Sequence, residues 1–191
     1  MFIVFFDLET AGLLDHQPDI QLAAVATQDF EPVATFERKI RFDARKADPQ
    51  ALELNSYQDL AWADSAIEES DVVRDFAGFI QPYRDLQMVS KRTGRPYSVA
   101  RLAGHNAATF DSPRLLRMFQ RHGEFLAADS YRTLDTLQLA LWDAARRGES
   151  HQSYRLSECC QRAGIDAEGA HDALSDVLMC AKLAQHLIES I

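Results

Sequence analysis

The stretch Phe5-Phe6-Asp7-Leu8-Glu9-Thr10 decides how this chain reads. Five apolar residues, Phe2 to Phe6, lead into it, and such a run suits a strand buried on both faces of a sheet. Side chains on a strand alternate, so Asp7 and Glu9 project from one face and Leu8 from the other. Two acids then stand side by side at the end of a buried strand. Desolvation and mutual repulsion disfavour such a pair unless a counter-charge is supplied, and hard carboxylate oxygens suit a divalent cation such as magnesium. The same residues also fit a plain turn at a strand end, with Glu9 and Thr10 in water and Gly12 allowing the bend. An isolated Asp-x-Glu does not separate the two readings, so the rest of the chain must.

Beyond this strand, Ile20 to Gln28 and Val33 to Phe42 are rich in Val, Ile, Phe and Thr, with the polar Asp29-Phe30-Glu31-Pro32 between them. That pattern predicts a hairpin, and with the first strand an antiparallel meander. A short helix is expected at Pro49 to Asn55. Ile67, Val72, Val73, Phe76, Phe79 and Ile80 then recur at helical spacing before Pro82. Val99 to Ala103 reads as a fourth strand, ending at Gly104-His105-Asn106. From Asp111 a helix runs through Leu115, Leu116 and Phe119, with Pro113 in its first turn. Tyr131 to Leu134 reads as a fifth strand. Helices follow at Asp135 to Arg147, closed by Gly148, at Tyr154 to Ala163, closed by Gly164, and from about Asp172 onward. Strands come first and helices mostly later, around a mixed sheet in an α/β arrangement.

The chain has 191 residues and no Pro/Gly/Ser-rich linker, which gives the expectation of one domain over 1–191. Its net charge of -9 argues against coating nucleic acid nonspecifically, which needs many cations on the phosphates, but not against an enzyme that grips a strand end. Three cysteines, Cys159, Cys160 and Cys180, form no disulfide framework, and no apolar run reaches membrane-spanning length. A cytoplasmic protein without membrane contact is the expectation. Against the acidic background, Arg84 to Arg101 carries five basic residues (Arg84, Lys91, Arg92, Arg95, Arg101) and one acid (Asp85), a net charge of +4. Thr93-Gly94-Arg95-Pro96 reads as the turn of a basic hairpin or loop. Two readings stand: a phosphate-contacting flap built on Lys91, Arg92 and Arg95, with Tyr97 stacking on a base or sugar, or a solvated loop.

The last helix brings a second constellation, His171-Asp172-Ala173-Leu174-Ser175-Asp176. Five residues amount to about 140° around a helix, so His171 and Asp176 share no face if both are helical. If Asp172 caps the helix, His171 lies on the preceding loop and Asp176 is fixed one turn inside. A rigid acid can hold a cation while an imidazole near neutrality takes a proton from water. Singly, these residues have plain explanations: Asp111 as a helix cap, Asp176 as a polar surface position, His171 as a structural histidine.

Together, Asp7 and Glu9 in FDLET, Asp111 in GHNAATFD, and His171 with Asp176 in HDALSD resemble, in order and local context, the three motifs of the DEDDh exonuclease family. That family includes the proofreading subunit of bacterial replicative polymerase, ribonuclease T, oligoribonuclease and the TREX nucleases. The resemblance runs from residue 2 to about residue 187; only Arg84 to Arg101 is longer than the link many members have there. It implies a ribonuclease H-like fold, a five-stranded mixed sheet flanked by helices, with strands 1–3 antiparallel and the rest parallel. It further implies that Asp7, Glu9, Asp111 and Asp176 hold two divalent cations, Mg2+ or Mn2+, and that His171 is the general base. The implied reaction releases nucleoside monophosphates from the 3′ end of single-stranded DNA or RNA, DNA being placed first although no residue that reads the 2′-hydroxyl is identified. Thr10 and Leu13 sit where members contact and wedge the terminal nucleotide, and Asn106 and Phe110 where members line the same pocket; core packing explains all four equally well. A polymerase or a second copy of the chain are the protein partners the family suggests, and a noncatalytic docking subunit is the rival reading. Cys180 is expected beneath the site, Asp135 as a helix cap, and Trp62, Trp142 and the scattered phenylalanines in the core. Cys159 and Cys160 lack metal-ligand spacing.

Overall fold

In the computed structural model, which describes residues 1–55, 57, 62, 64–166 and 173–190, the opening apolar run forms strand β1, Phe2–Thr10. It pairs antiparallel with β2, Asp19–Gln28, and β2 with β3, Glu31–Lys39. The connection between β2 and β3 is tighter than the four-residue turn read from the sequence. Only Asp29 and Phe30 lie outside the strands, and both have positive φ (52° and 70°), the two-residue geometry whose twist matches the flanking strands. Pro32 therefore falls inside β3, which an edge strand tolerates. The strand stops at Lys39 rather than Phe42, and Ile40 makes a lone parallel bridge to Ile67.

The expected fourth strand divides in two. Val99 closes a separate hairpin, β4 (Leu86–Val89) with β5 (Pro96–Val99), and Leu102–Gly104, β6, alone joins the sheet, parallel to β1. The fifth is shorter and later than Tyr131 to Leu134: β7 is Leu134–Asp135, parallel to β6, and Tyr131 is solvent-exposed. The order β3-β2-β1-β6-β7 is antiparallel over the first three strands and parallel thereafter, the five-stranded mixed sheet of a ribonuclease H-like fold.

Alternation along β1 sorts the core into two layers. Val4, Phe6 and Leu8 meet α2 (Glu69–Ile80) and α3 (Asp111–Arg121) through Val72, Val73, Phe76, Leu115, Met118 and Phe119. Ile3 and Phe5 meet α6 (Ala173–Glu189) through Val177, Cys180, Ala181 and Ala184. Each fully buried Phe or Leu contributes roughly 1.5–3 kcal/mol of transfer free energy, so both faces of β1 are anchored. Between these, α1 (Pro49–Leu54) is capped by Asp48, α4 spans Thr136–Arg147 and α5 spans Leu156–Arg162, two residues later at its start than expected. Gly148 and Gly164 take left-handed conformations after α4 and α5, as the sequence suggested. Among the described residues, no helix is long and apolar enough to cross a membrane.

Two aromatics depart from the expected core. Trp142 is 73 % exposed because it lies two residues, about 200°, round α4 from the buried Ala140. Phe125, 67 % exposed, follows the end of α3 and packs edge-on against Tyr97 instead. Trp62 is buried, as are Phe5, Phe6, Phe76 and Phe119.

Candidate active site

The C-terminal ends of the parallel strands β1 and β6 gather the acids. Asp7 and Glu9 come from one face of β1, Asp111 is the first residue of α3, and Asp176 lies in the first turn of α6. Asp111 Oδ1 accepts a hydrogen bond from the Leu8 N–H at 3.2 Å, which ties the head of α3 to the acid strand. Burial, followed by repulsion from Asp111, Glu9 and Asp176, raises the Asp7 carboxyl well above the usual carboxylate range. Burial likewise raises Asp111 to about 7, although the Leu8 amide and its own amide pull the other way. Among the described residues, the charged groups that act on Asp7 are thus acids.

That donor set fits hard divalent cations: carboxylate oxygens only, mutually repelling and short of positive charge. Among the described residues, no three His, Cys, Asp or Glu side chains already form a ligand cage, so holding an ion requires these side chains to turn toward it. His171, and Asp172 as its expected cap, lie outside the described residues.

The loop after β6 is fixed from two sides. A Cβ on Gly104 would sit 2.5 Å from Ala107 Cβ and 2.9 Å from the Phe6 carbonyl oxygen, so only glycine lets this loop fold back over β1. Asp135, expected only as a helix cap, does cap α4 through the Leu137 N–H at 2.9 Å. It also accepts from the N–H groups of Asn106 (2.9 Å) and Ala108 (3.1 Å). Asn106, exposed and at φ 61°, is held in place by this carboxylate and borders, with Asp176, a cleft of about 510 Å³.

His105 lies below, and its protonation follows from its partners. Nε2 faces the Tyr154 carbonyl at 2.8 Å and so must donate; Nδ1, at 2.8 Å, then accepts from the Thr136 hydroxyl, whose oxygen is 3.4 Å from Cys180 Sγ. Burial lowers the His105 pKa, which keeps this neutral tautomer, while burial pushes the Cys180 thiol far up. Cys180 is therefore an inert packing group beneath the acids, as expected. Burial also raises Cys160, to about 11, and Cys159; both are free thiols in the core.

Arg114 is the residue that sequence reasoning passed over. It falls on the buried stripe of α3 with Asp111, Leu115 and Met118, and an arginine on an apolar stripe signals an internal counter-charge. The partner is Asp19, buried, at 3.0 Å. The guanidinium also donates to the carbonyls of Gly12, Leu14 and Gln17 and lies 4.8 Å from the centre of the Phe110 ring. One side chain thus holds both the loop that carries Leu13, 81 % exposed, and the half-buried Phe110. Thr10 is buried beside Glu9, its carbonyl accepting from Asn55. Leu13 sits on the loop that Arg114 holds, while Thr10 adjoins Glu9, Phe110 adjoins Asp111 and Asn106 shares a cleft with Asp176, so these last three border the acids.

Lys91, Arg92 and Arg95 do not. They are exposed at the tip of the β4–β5 hairpin, which enters the sheet at the N-terminal end of β6, whereas the acids lie at its C-terminal end. The base of the hairpin is tied there by an ion pair between Arg101 and Asp85, and by the Phe2 N–H donating to Asp85.

Comparison with known proteins accords with this geometry. Residues 97–184 match a family described as Exonuclease (RNase_T), a segment that takes in Asp111, His171 and Asp176 and begins after the FDLET strand. None of the curated proteins matches the chain. Among solved structures, E. coli exonuclease I in complex with a dA16 oligonucleotide has a TM-score of 0.75 at 17% identity, covering 99% of this chain and 41% of that one. The zinc-bound E. coli exonuclease I–ssDNA complex has a TM-score of 0.75 at 19% identity, covering 99% and 40%. Exonuclease I from the moderately thermophilic Methylocaldum szegediense has a TM-score of 0.74 at 19% identity, covering 98% and 40%. The chain spans about two fifths of the length of these proteins. Such structural likeness shows the shared fold, and the matched segment is similar to an exonuclease family over the part of the chain from β5 to α6.

Proposed function

We propose that residues 1–191 act as one divalent-cation-dependent exonuclease domain that removes nucleotides from the 3′ end of single-stranded nucleic acid, DNA before RNA. The observation that carries this reading is the half-buried Asp7 carboxyl, which Asp111, Glu9 and Asp176 all stand close enough to repel. Asp7, Glu9, Asp111 and Asp176 would hold two cations, Mg2+ or Mn2+. When bound, such ions lower the pKa of water and stabilise an alkoxide leaving group.

The chain's own part is positioning and proton transfer. Asp135 and Arg114 fix the Asn106 loop, Phe110 and the Leu13 loop around the acids, which gives the terminal nucleotide a rigid pocket with an exposed apolar edge at Leu13. His171 is the general base, on the segment just before α6, and takes the proton of the attacking water. The preference for DNA is supported by the oligonucleotides held by the E. coli exonuclease I structures of the same fold. A time course with 5′-labelled single-stranded DNA and RNA, with magnesium, manganese or chelator, tests the proposal. A ladder that shortens one nucleotide at a time and vanishes with chelator is expected. No cleavage of either polymer would overturn it in favour of a noncatalytic docking subunit.

A further inference from the structure

The basic hairpin is half of a cleft. Across from it, residues 125–132 run along the edge of the sheet, anchored where Ala128 bridges Ala100 and where Arg132 contacts Met88 Sδ at 3.0 Å. Between hairpin and segment lies a space of about 940 Å³. Three aromatic rings open onto it: Tyr97, Phe125 and Tyr131, the last 87 % exposed. Tyr97 and Phe125 meet edge to face, with centroids 6.2 Å apart, and both remain solvent-exposed.

Charge marks the same place. Arg132 is paired with Asp129 at 2.7 Å, but Lys91, Arg92 and Arg95 have no ion-pair partner among the described residues. Unpaired cations beside water-exposed rings, in a chain of net charge -9, are what neither stability nor solubility requires.

We infer that this cleft is a second binding site for single-stranded nucleic acid, separate from the acids. Rings offer faces on which unpaired bases stack without regard to sequence, and the cations follow the phosphates. A duplex keeps its bases stacked on one another and has no use for the rings; an acidic peptide would answer the cations alone. The inference rests on the exonuclease reading only for its direction. The Thr133 hydroxyl is 2.5 Å from that of Ser112, next to Asp111, so residues 131–135 lead from the cleft to the acids. A strand with its 3′ end at Asp7 then has a place for nucleotides further upstream.

The test is fluorescence anisotropy of ~20-nucleotide DNA and RNA strands, and of a trinucleotide, with chelator present so that nothing is hydrolysed. Wild-type protein should hold the long strands more tightly than the trinucleotide. The double variant Phe125→Ala/Tyr131→Ala should weaken long-strand binding by about tenfold and close that gap. The triple variant Lys91→Ala/Arg92→Ala/Arg95→Ala should make the log–log salt dependence shallower by about two. All five side chains are exposed, and a melting curve confirms that each variant folds. A length gap and salt slope unchanged in both variants would overturn the inference. Since no turnover is read, the result stands apart from whether the chain cleaves anything, and the DNA and RNA arms say which polymer the cleft takes.

Discussion

The two ends of the strands β1 and β6 treat charge in opposite ways. At the C-terminal end, acids from β1, α3 and α6 are drawn together where burial makes them costly. At the N-terminal end, cations stand on a hairpin in open water, where screening makes them cheap to keep and weak in effect. The first arrangement works against stability unless a cation or a bound proton offsets it; the second is nearly neutral to the fold. A small loss of charge at the acid end should therefore remove function while relieving strain, whereas the basic end should lose grip by degrees.

The largest effect is expected at the acids. Asp7→Ala should abolish nucleotide release in the labelled-strand assay, and retained activity would break the contrast outright. His171→Ala should leave cation binding intact, as read by thermal shift, but slow hydrolysis by about 100-fold or more. Next comes Arg114→Ala, which leaves Asp19 buried without its partner and should cost about 3–5 kcal/mol in urea unfolding. Replacing Arg114 and Asp19 together by apolar residues should recover much of that stability. Even so, release of the 3′ nucleotide should remain slow, because the Leu13 loop and Phe110 have lost their common anchor.

A smaller effect concerns pH. The folded state holds the Asp111 proton at about 7, against 3.8 ordinarily, so folding takes up a proton between those values. With chelator, that contribution to stability is fully present below about pH 4 and lost as pH rises toward 7, which a series of melting temperatures would read. Asp111→Asn should flatten the slope, and added magnesium should raise the melting temperature most at the alkaline end.

Much of the acid end was legible because strand alternation and helix starts are local rules. Asp7 and Glu9 sharing a face, Asp111 opening a helix and Cys180 beneath them all follow from spacing. Less local features escaped. β7 is only two residues long and exists because β6 offers it an edge, so Leu134 carries no strand pattern of its own. The second role of Asp135 depends on a loop some thirty residues earlier in the chain. The hairpin was found, but its distance from the acids depends on which end of β6 it enters, and charge content carries no such information. Trp142 and Phe125 were expected in the core because large aromatics generally are, and their exposure follows from the helix face and the loop that carry them.

The two-residue turn at Asp29–Phe30 has a consequence for the order of events during folding. Contacts within the meander β1–β3 span short stretches of chain and close quickly, so Asp7 and Glu9 are brought to one strand end early. Asp111 and Asp176 must be carried in from far along the sequence, and the repulsion among the four is then met late. Magnesium should accordingly leave the refolding rate nearly unchanged and slow unfolding, shifting one limb of a chevron plot and sparing the other.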